Sequence, residues 1–295
     1  MKIELGIKGR YRLMTKKQGE ITQDTGWFSN LITDNGMDLL ATNTWFKYLS
    51  VGAGSTTPAY TDTALVNRIT TSGALSSPGS QLDTTNNYVG FALTATFATG
   101  SAAGTVAEVG IGSASNGTSL FSRALIVDDL GNPTTITVLS DEDLVVVYEL
   151  WIKQPTEDFV MEVAGKTCTL RAALINTDAS ADGWGTYGTF RGYFGVTSGF
   201  SCWASAGNMG ALTGAPVDTW RGGGSTITAY TPGSWSREVK ITWAAAANGG
   251  DYKSFCWYIG PTRWQMQLDT PITKAAAQTL RLGLTVSWSR DSGPA

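Results

Sequence analysis

Apolar and polar residues alternate along much of the chain with a period of two, the spacing of a β-strand that buries one face. Ile3, Leu5 and Ile7 share one side of the first segment, with charges between them, which predicts a strand over Met1–Met14. A further strand or turn is expected around Gly26, Trp27 and Phe28. The period then changes. Thr33 and Asp34 suit a helix N-cap, and Met37 and Leu40 fall on one helical face, so a short helix is expected here. A strand over Phe46–Val51 follows, ending in Gly52-Ala53-Gly54, and then a polar stretch with Pro58, Thr61 and Asp62. From Tyr88 onwards the pattern is β. Phe91, Leu93 and Ala95 alternate with Ala92, Thr94 and Thr96; Val109 and Ile111 precede a turn at Ser113–Gly117; Leu120–Val127 forms another strand. Asp128–Pro133 reads as a loop, and Ile136–Val138 and Leu144–Ile152 as strands.

Short strands split by Gly and Asn turns define an all-β fold class: two β-sandwich domains with one short helix near the N-terminus. The chain has 295 residues, enough for two ordinary cores. Lys153–Asp158 reads as a linker, dividing the chain into residues 1–153 and 156–295. The second part is the richer in tryptophan: nine of the eleven lie beyond residue 150. The two parts also resemble each other. Tyr88–Gly112 lies on Ser236–Gly260 without a gap, and Ile136–Ile152 on Ile272–Trp288. The order of elements is shared and the identities are few, so a duplicated sandwich and a coincidence of β patterning both fit.

The last strands of the two parts differ. Leu280, Leu282, Leu284 and Val286 alternate with Arg281, Gly283, Thr285 and Ser287, giving one core face and one that can meet water. In Leu144–Ile152 the second face carries Val145, Val147 and Trp151, with Glu149 its sole charge. A strand apolar on both faces needs cover on both, so Val145, Val147 and Trp151 are candidates for a domain or subunit interface.

Composition narrows the function. Charged residues make up 15%, and Gly reaches 35 residues, which suits a turn-rich protein packed against copies of itself. A net charge of -3 gives no case for nucleic-acid binding. Locally, Lys2, Lys8, Arg10, Arg12, Lys16 and Lys17 face Glu4 alone, either as a solvated strand or as an arm docking on an acidic partner. Histidine is absent, which removes the usual general base and metal ligand. Cys168, Cys202 and Cys256 are too scattered for a zinc site or disulfide framework. No cofactor or metal is expected. Nor is a signal peptide or membrane span, so synthesis in a cytoplasm is expected.

Little remains as candidate chemistry. Asp141-Glu142-Asp143 could hydrolyse a glycoside as a carboxylate pair or be a solvated turn, since adjacent strand residues point to opposite faces. Asp128, Asp129 and Asn132 offer oxygens to calcium but lack the spacing of a helix–loop–helix calcium site. Trp184, Tyr187, Trp220 and Arg221 sit in Gly-rich stretches as exposed recognition loops or as aromatics folded onto a sheet edge. Asn116-Gly117-Thr118 is formally a glycosylation sequon and reads better as a hairpin turn.

One stretch resembles a known family. Leu31-Ile32-Thr33-Asp34-Asn35-Gly36, then Val51-Gly52-Ala53-Gly54-Ser55 with Pro58, then Asp62-Thr63-Ala64-Leu65-Val66-Asn67 are similar to the N-terminal region of phage tail-collar fibre proteins. Ala107-Glu108-Val109-Gly110-Ile111, Leu120-Phe121-Ser122-Arg123 and the ending Leu280–Arg290 also look like these virion proteins. The resemblance covers the first half well, the last fifty residues loosely, and 177–235 not at all. It implies that residues 1–153 form a virion-attachment domain. It also implies homotrimers and partners among neck, tail or baseplate proteins. The chain stops short of the family's long fibres, which favours a collar, neck or short-fibre part.

Two functions are therefore expected of different strength: a non-enzymatic structural component of a tailed phage virion, and, as the alternative, a tail protein that binds a host-surface glycan.

Overall fold

The computed structural model describes residues 2–41, 47–83, 85–155, 157–163, 165–173, 202–211, 221–245, 249–259 and 262–291. Among them the fold is all-β with one short helix. In chain order the elements begin with β1 (Lys2–Lys17), β2 (Glu20–Asp24), β3 (Phe28–Ser29), β4 (Leu31–Ile32) and α1 (Asp34–Leu39). Next come β5 (Tyr48–Gly52), β6 (Arg68–Ser72), β7 (Leu75–Asp83), β8 (Tyr88–Phe97), β9 (Gly104–Val106) and β10 (Glu108–Gly112). Then follow β11 (Leu120–Leu125), β12 (Ile136–Val138), β13 (Asp143–Lys153), β14 (Phe159–Val163), β15 (Lys166–Ala173) and β16 (Cys202–Ser205). The last are β17 (Arg221–Ile227), β18 (Ser236–Trp243), β19 (Gly250–Ile259), β20 (Thr262–Lys274) and β21 (Leu280–Arg290).

The chain forms two compact units, each assembled from three segments. Unit I comprises Met1–Gly6, Ser80–Gly90 and Ile152–Ser289; unit II comprises Ile7–Gly79, Phe91–Trp151 and Arg290–Ala295. The division at 153/156 follows chain order, whereas these units follow packing.

Unit II is a sandwich of two sheets. In one, β13 lies between β1 and β8, and β2 and β3 pair with β1. The other runs β4-β11-β10-β5-β6, antiparallel throughout. Between them Tyr11 of β1 and Tyr148 of β13 stand 4.7 Å apart by ring centroid, and Phe121 of β11 meets Tyr148 edge-on at 6.5 Å. A buried phenol needs a hydrogen-bond partner. Tyr11 finds one in the Ser122 hydroxyl at 2.7 Å, and burial raises the pKa of both tyrosines.

The alternation in β1 is realised fully: every odd position from Ile3 to Thr15 is buried and every even one half-buried or exposed. Four of the six cations in this segment pair within the chain, Lys2 with Glu4, Arg10 with Glu149, Arg12 with Asp24 and Lys17 with Asp141. The basic stretch is thus largely neutralised internally, the solvated-strand reading.

Helix α1 is where the N-cap signal placed it. The Thr33 hydroxyl accepts from Gly36 N at 2.9 Å and donates to Leu120 O at 2.7 Å, so one side chain caps the helix and docks it on β11. Gly36 is needed there because an added Cβ would collide with the Phe121 carbonyl.

Unit I turns a corner at one strand. β17 pairs through Arg221–Gly223 with β16 and through Gly224–Ile227 with β18. The strand sequence β14-β15-β20-β19-β16 lies on one side of that switch and β18-β21 on the other. Trp243 of β18 then meets Tyr252 and Phe255 of β19 edge-on, at 5.9 and 5.4 Å, across the core. Glycines suit such a bend. A Cβ on Gly223 would stand 2.9 Å from both Ile241 and Trp243.

The segments that resemble each other in sequence share part of their structure. β8 neighbours β13, and their counterparts β18 and β21 pair over eight residues. The elements between differ: β10 belongs to the five-stranded sheet, while its counterpart β19 pairs with β16 and β20. β13 is buried on both faces at Leu144, Val145 and Val146, whereas β21 keeps the one-sided alternation. Three strands, β2, β6 and β7, form where no apolar alternation announces them.

Candidate assembly site

The motif glycines, the polar loop and two charged strand residues meet at one point of unit II. Glu108 opens β10, opposite Gly52 of β5, and Arg123 lies in β11 opposite Gly110. Both side chains have 0% exposure, and Arg123 Nε donates to Glu108 Oε2 at 2.9 Å. A buried carboxylate is stable only when paired and hydrogen-bonded. Glu108 meets that condition through the chain itself, accepting from Gly54 N at 3.0 Å, Val66 N at 3.1 Å and Asn67 N at 2.8 Å. Arg123 then reaches on with its other nitrogens, to Asp62 Oδ2 at 2.7 Å and Thr56 O at 2.8 Å.

This network fixes the loop 53–67 at both ends and in the middle. Ala53 N donates to Asn67 O, Asp62 N to Ala59 O, Leu120 N to Thr63 O and Asp34 N to Tyr60 O. The glycines follow from it. A Cβ on Gly52 would sit 2.7 Å from Glu108 Oε1, and one on Gly54 would press on the same oxygen and stand 2.7 Å from Val66 Cβ. Near the end of β21, Arg290 adds a latch: its guanidinium lies 4.0 Å from the Tyr60 ring, pairs with Asp34 at 2.6 Å and donates to Ile32 O at 2.7 Å.

The result is a loop held rigidly while apolar side chains remain outside. Tyr60 is 52% exposed, Val66 57% and Ile69, in the terminal strand β6 of its sheet, 36%. Tyr60, Val66 and Ile69 thus form a set of exposed aromatic and branched side chains beside a sheet edge. Glu108 and Arg123 stand in the motif, but their partnership was not read from sequence. The available signal was two ionisable residues in strands that carry no other charge.

The other candidate residues are dispersed. Val145 is buried within the chain, and Val147 and Trp151 are half-buried. Trp151 Nε1 donates to Glu149 at 3.0 Å. Trp184, Tyr187 and Trp220 lie outside the described residues. Arg221 begins strand β17, half-buried, with its guanidinium 4.9 Å from the Tyr252 ring and donating to Asp251 O. The three neighbouring carboxylates each have their own partner: Asp141 pairs with Lys17, Glu142 accepts from Thr22 and Leu139 N, and Asp143 accepts from Thr99. Asp128 folds a turn, accepting from the backbone N–H of Leu130 and Asn132, and those hydrogen bonds hold its carboxyl below the usual range. Asn116-Gly117 forms the turn between β10 and β11, with Gly117 at φ +75°. Cys168, Cys202 and Cys256 are free and buried. Burial pushes the Cys168 thiol up to about 11, so it stays protonated near neutrality. Among the described residues no group of three His, Cys, Asp or Glu could hold a metal ion, and no helix is long and apolar enough to cross a membrane.

No family model, curated protein or solved structure matches the chain.

Proposed function

We propose that the chain is a non-enzymatic structural component of a tailed phage virion, a collar, neck-associated or short tail-fibre part that assembles by protein–protein contacts. The observation that carries this is the convergence of the motif residues. Gly52, Gly54, Asp62, Val66, Asn67, Glu108 and Arg123, which carry the resemblance to tail-collar fibre proteins, meet around one buried ion pair. That network presents Tyr60, Val66 and Ile69 in a fixed geometry, which lowers the ordering cost of docking on another virion protein. The same resemblance supports self-association as a homotrimer.

The test is incorporation. Phage carrying Ile69→Arg together with Val66→Arg should assemble particles that have lost most of this protein by quantitative immunoblot. Because both side chains are exposed, the purified variant should melt within a few degrees of the parent. Full incorporation of the folded variant would reject this surface as the attachment site.

A further inference from the structure

Strand β14 is an open edge of unit I: among the described residues it pairs with β15 alone. Sheet edges are ordinarily guarded against strand addition by short length, proline, a bulge or charge. Other edges in the fold follow that rule. β4 is two residues long, and β7 contains Pro78, which offers no N–H. β6 carries Arg68 and a register shift against β5, and β2 has Glu20 and Asp24 at its ends. β14 has no proline and no bulge, and Glu162 is the one charge among Phe159, Val160, Met161 and Val163. Phe159 and Met161 stand opposite Leu170 and Cys168, both buried, so the core face of the sheet runs out to this strand and is left part covered. Phe159 is 44% exposed, and Val160, on the other face, 69%.

We propose that β14 pairs antiparallel with β14 of a second copy of this chain, about a two-fold axis through Met161. The strand is its own complement in that register, because directly opposed residues share a face. Phe159 then meets Val163 of the second copy, Met161 meets Met161, and Val163 meets Phe159, so the part-covered core face is apolar along the whole contact. On the other face Val160 stands opposite Glu162, and no like charges are directly opposed. At each end the exposed Glu157 comes beside the turn leading to Lys166 of the second copy, acid toward base. Asp158 is already paired with Arg171 at 2.6 Å and adds little repulsion. An isologous contact uses the edge on both copies and closes, so it hides the strand without propagating a fibre. A strand of this length buries less than the roughly 800 Å² per partner of a standard interface, so the contact is of micromolar strength or weaker. It goes beyond a place in a virion and does not rest on one. A three-fold association alone gives three copies, whereas this contact doubles whatever unit carries it.

The test is sedimentation equilibrium of the purified full chain up to about 100 µM, which resolves a dissociation constant near that value. The mass should double as concentration rises, from one copy to two or from three to six. Val160 is largely exposed, so its variants keep the fold. Val160→Asp sets an acid opposite Glu162 of the second copy and should weaken the doubling about tenfold, whereas Val160→Lys sets a base there and should stay within about threefold of the parent. The double variant Val160→Cys with Glu162→Cys should form an interchain disulfide under mild oxidation, and neither single variant should. A mass that never doubles over this range would overturn the proposal; if that mass is a trimer's, the three-fold association stands and this contact alone is rejected. Equal effects of Val160→Asp and Val160→Lys, the mark of a patch without register, would also overturn it. So would a double variant that stays uncross-linked while its mass doubles.

Discussion

In unit II the most deeply held side chains include Glu108 and Arg123, an ion pair with 0% exposure on both sides. In unit I they include Trp243, Trp257 and Trp264, each at 1% exposure or less. Both units are β structures packed around a core, and they reach that state by different means. The ion pair is directional. It selects one path for the loop 53–67, because Glu108 accepts from Gly54, Val66 and Asn67 and from no alternative set of amides. Of these indoles Trp243 fills volume at the corner made by β17, with one directional demand, its Nε1 donating to Arg221 O at 2.9 Å. A loop held to one path calls for the first kind of device, and a corner that must only be filled can use the second.

The largest expected effect breaks the directional device. Arg123→Ala leaves Glu108 buried without its counter-ion and should cost roughly 3–5 kcal/mol in denaturant unfolding. Adding Glu108→Gln should restore a good part of that loss, because the stranded charge is gone. A double variant no more stable than the single would show that the charge itself is not the source of the cost. Trp243→Phe probes the other device. It keeps an aromatic ring, gives up volume and leaves Arg221 O without its donor, and should cost about 2 kcal/mol. It should also leave the loop 53–67 as protected from proteolysis as in the parent, since that loop belongs to unit II.

The smallest expected effect concerns a surface pair, which sharpens the contrast with the buried one. The Arg12 guanidinium hydrogen-bonds Asp24 and holds its carboxyl below the usual range. A lowered folded-state pKa means that the stabilisation is present above the unfolded pKa, near about 4. It is lost as pH falls through the folded value. Both partners are about a third exposed, so the contribution should be under about 1 kcal/mol and vanish in high salt. Denaturation midpoints taken through the acid range should therefore fall less steeply for Arg12→Ala than for the parent. Identical acid slopes would show that the pair contributes nothing.

Where the sequence signal was local, it was readable. β1 and β21 alternate strongly and their burial follows that alternation, while β13, apolar on both faces, is buried along most of its length. Thr33 caps its helix, and Asn116-Gly117 makes its turn. The remainder depended on distant partners. β2 is exposed along its whole length and β6 is an edge, so neither needs an apolar face to announce it. The run Arg221–Gly224 suggests a flexible loop when read alone, yet in the fold these glycines let one strand pair on two sides of a corner. Glu108 and Arg123 are fifteen positions apart, and what joins them is the register of β10 against β11, together with a loop whose own path they determine. The Trp27 and Trp151 rings both lie near the Arg10 guanidinium, a proximity set by the sheet and by nothing in the local sequence.

Membership of the virion is tested most directly by electron microscopy of intact phage particles labelled with an antibody to this chain. Label at the neck or on the tail is expected, and its position would separate a collar part from a short tail fibre. Particles that display their other structural proteins to antibody and carry no label for this one would contradict a virion role.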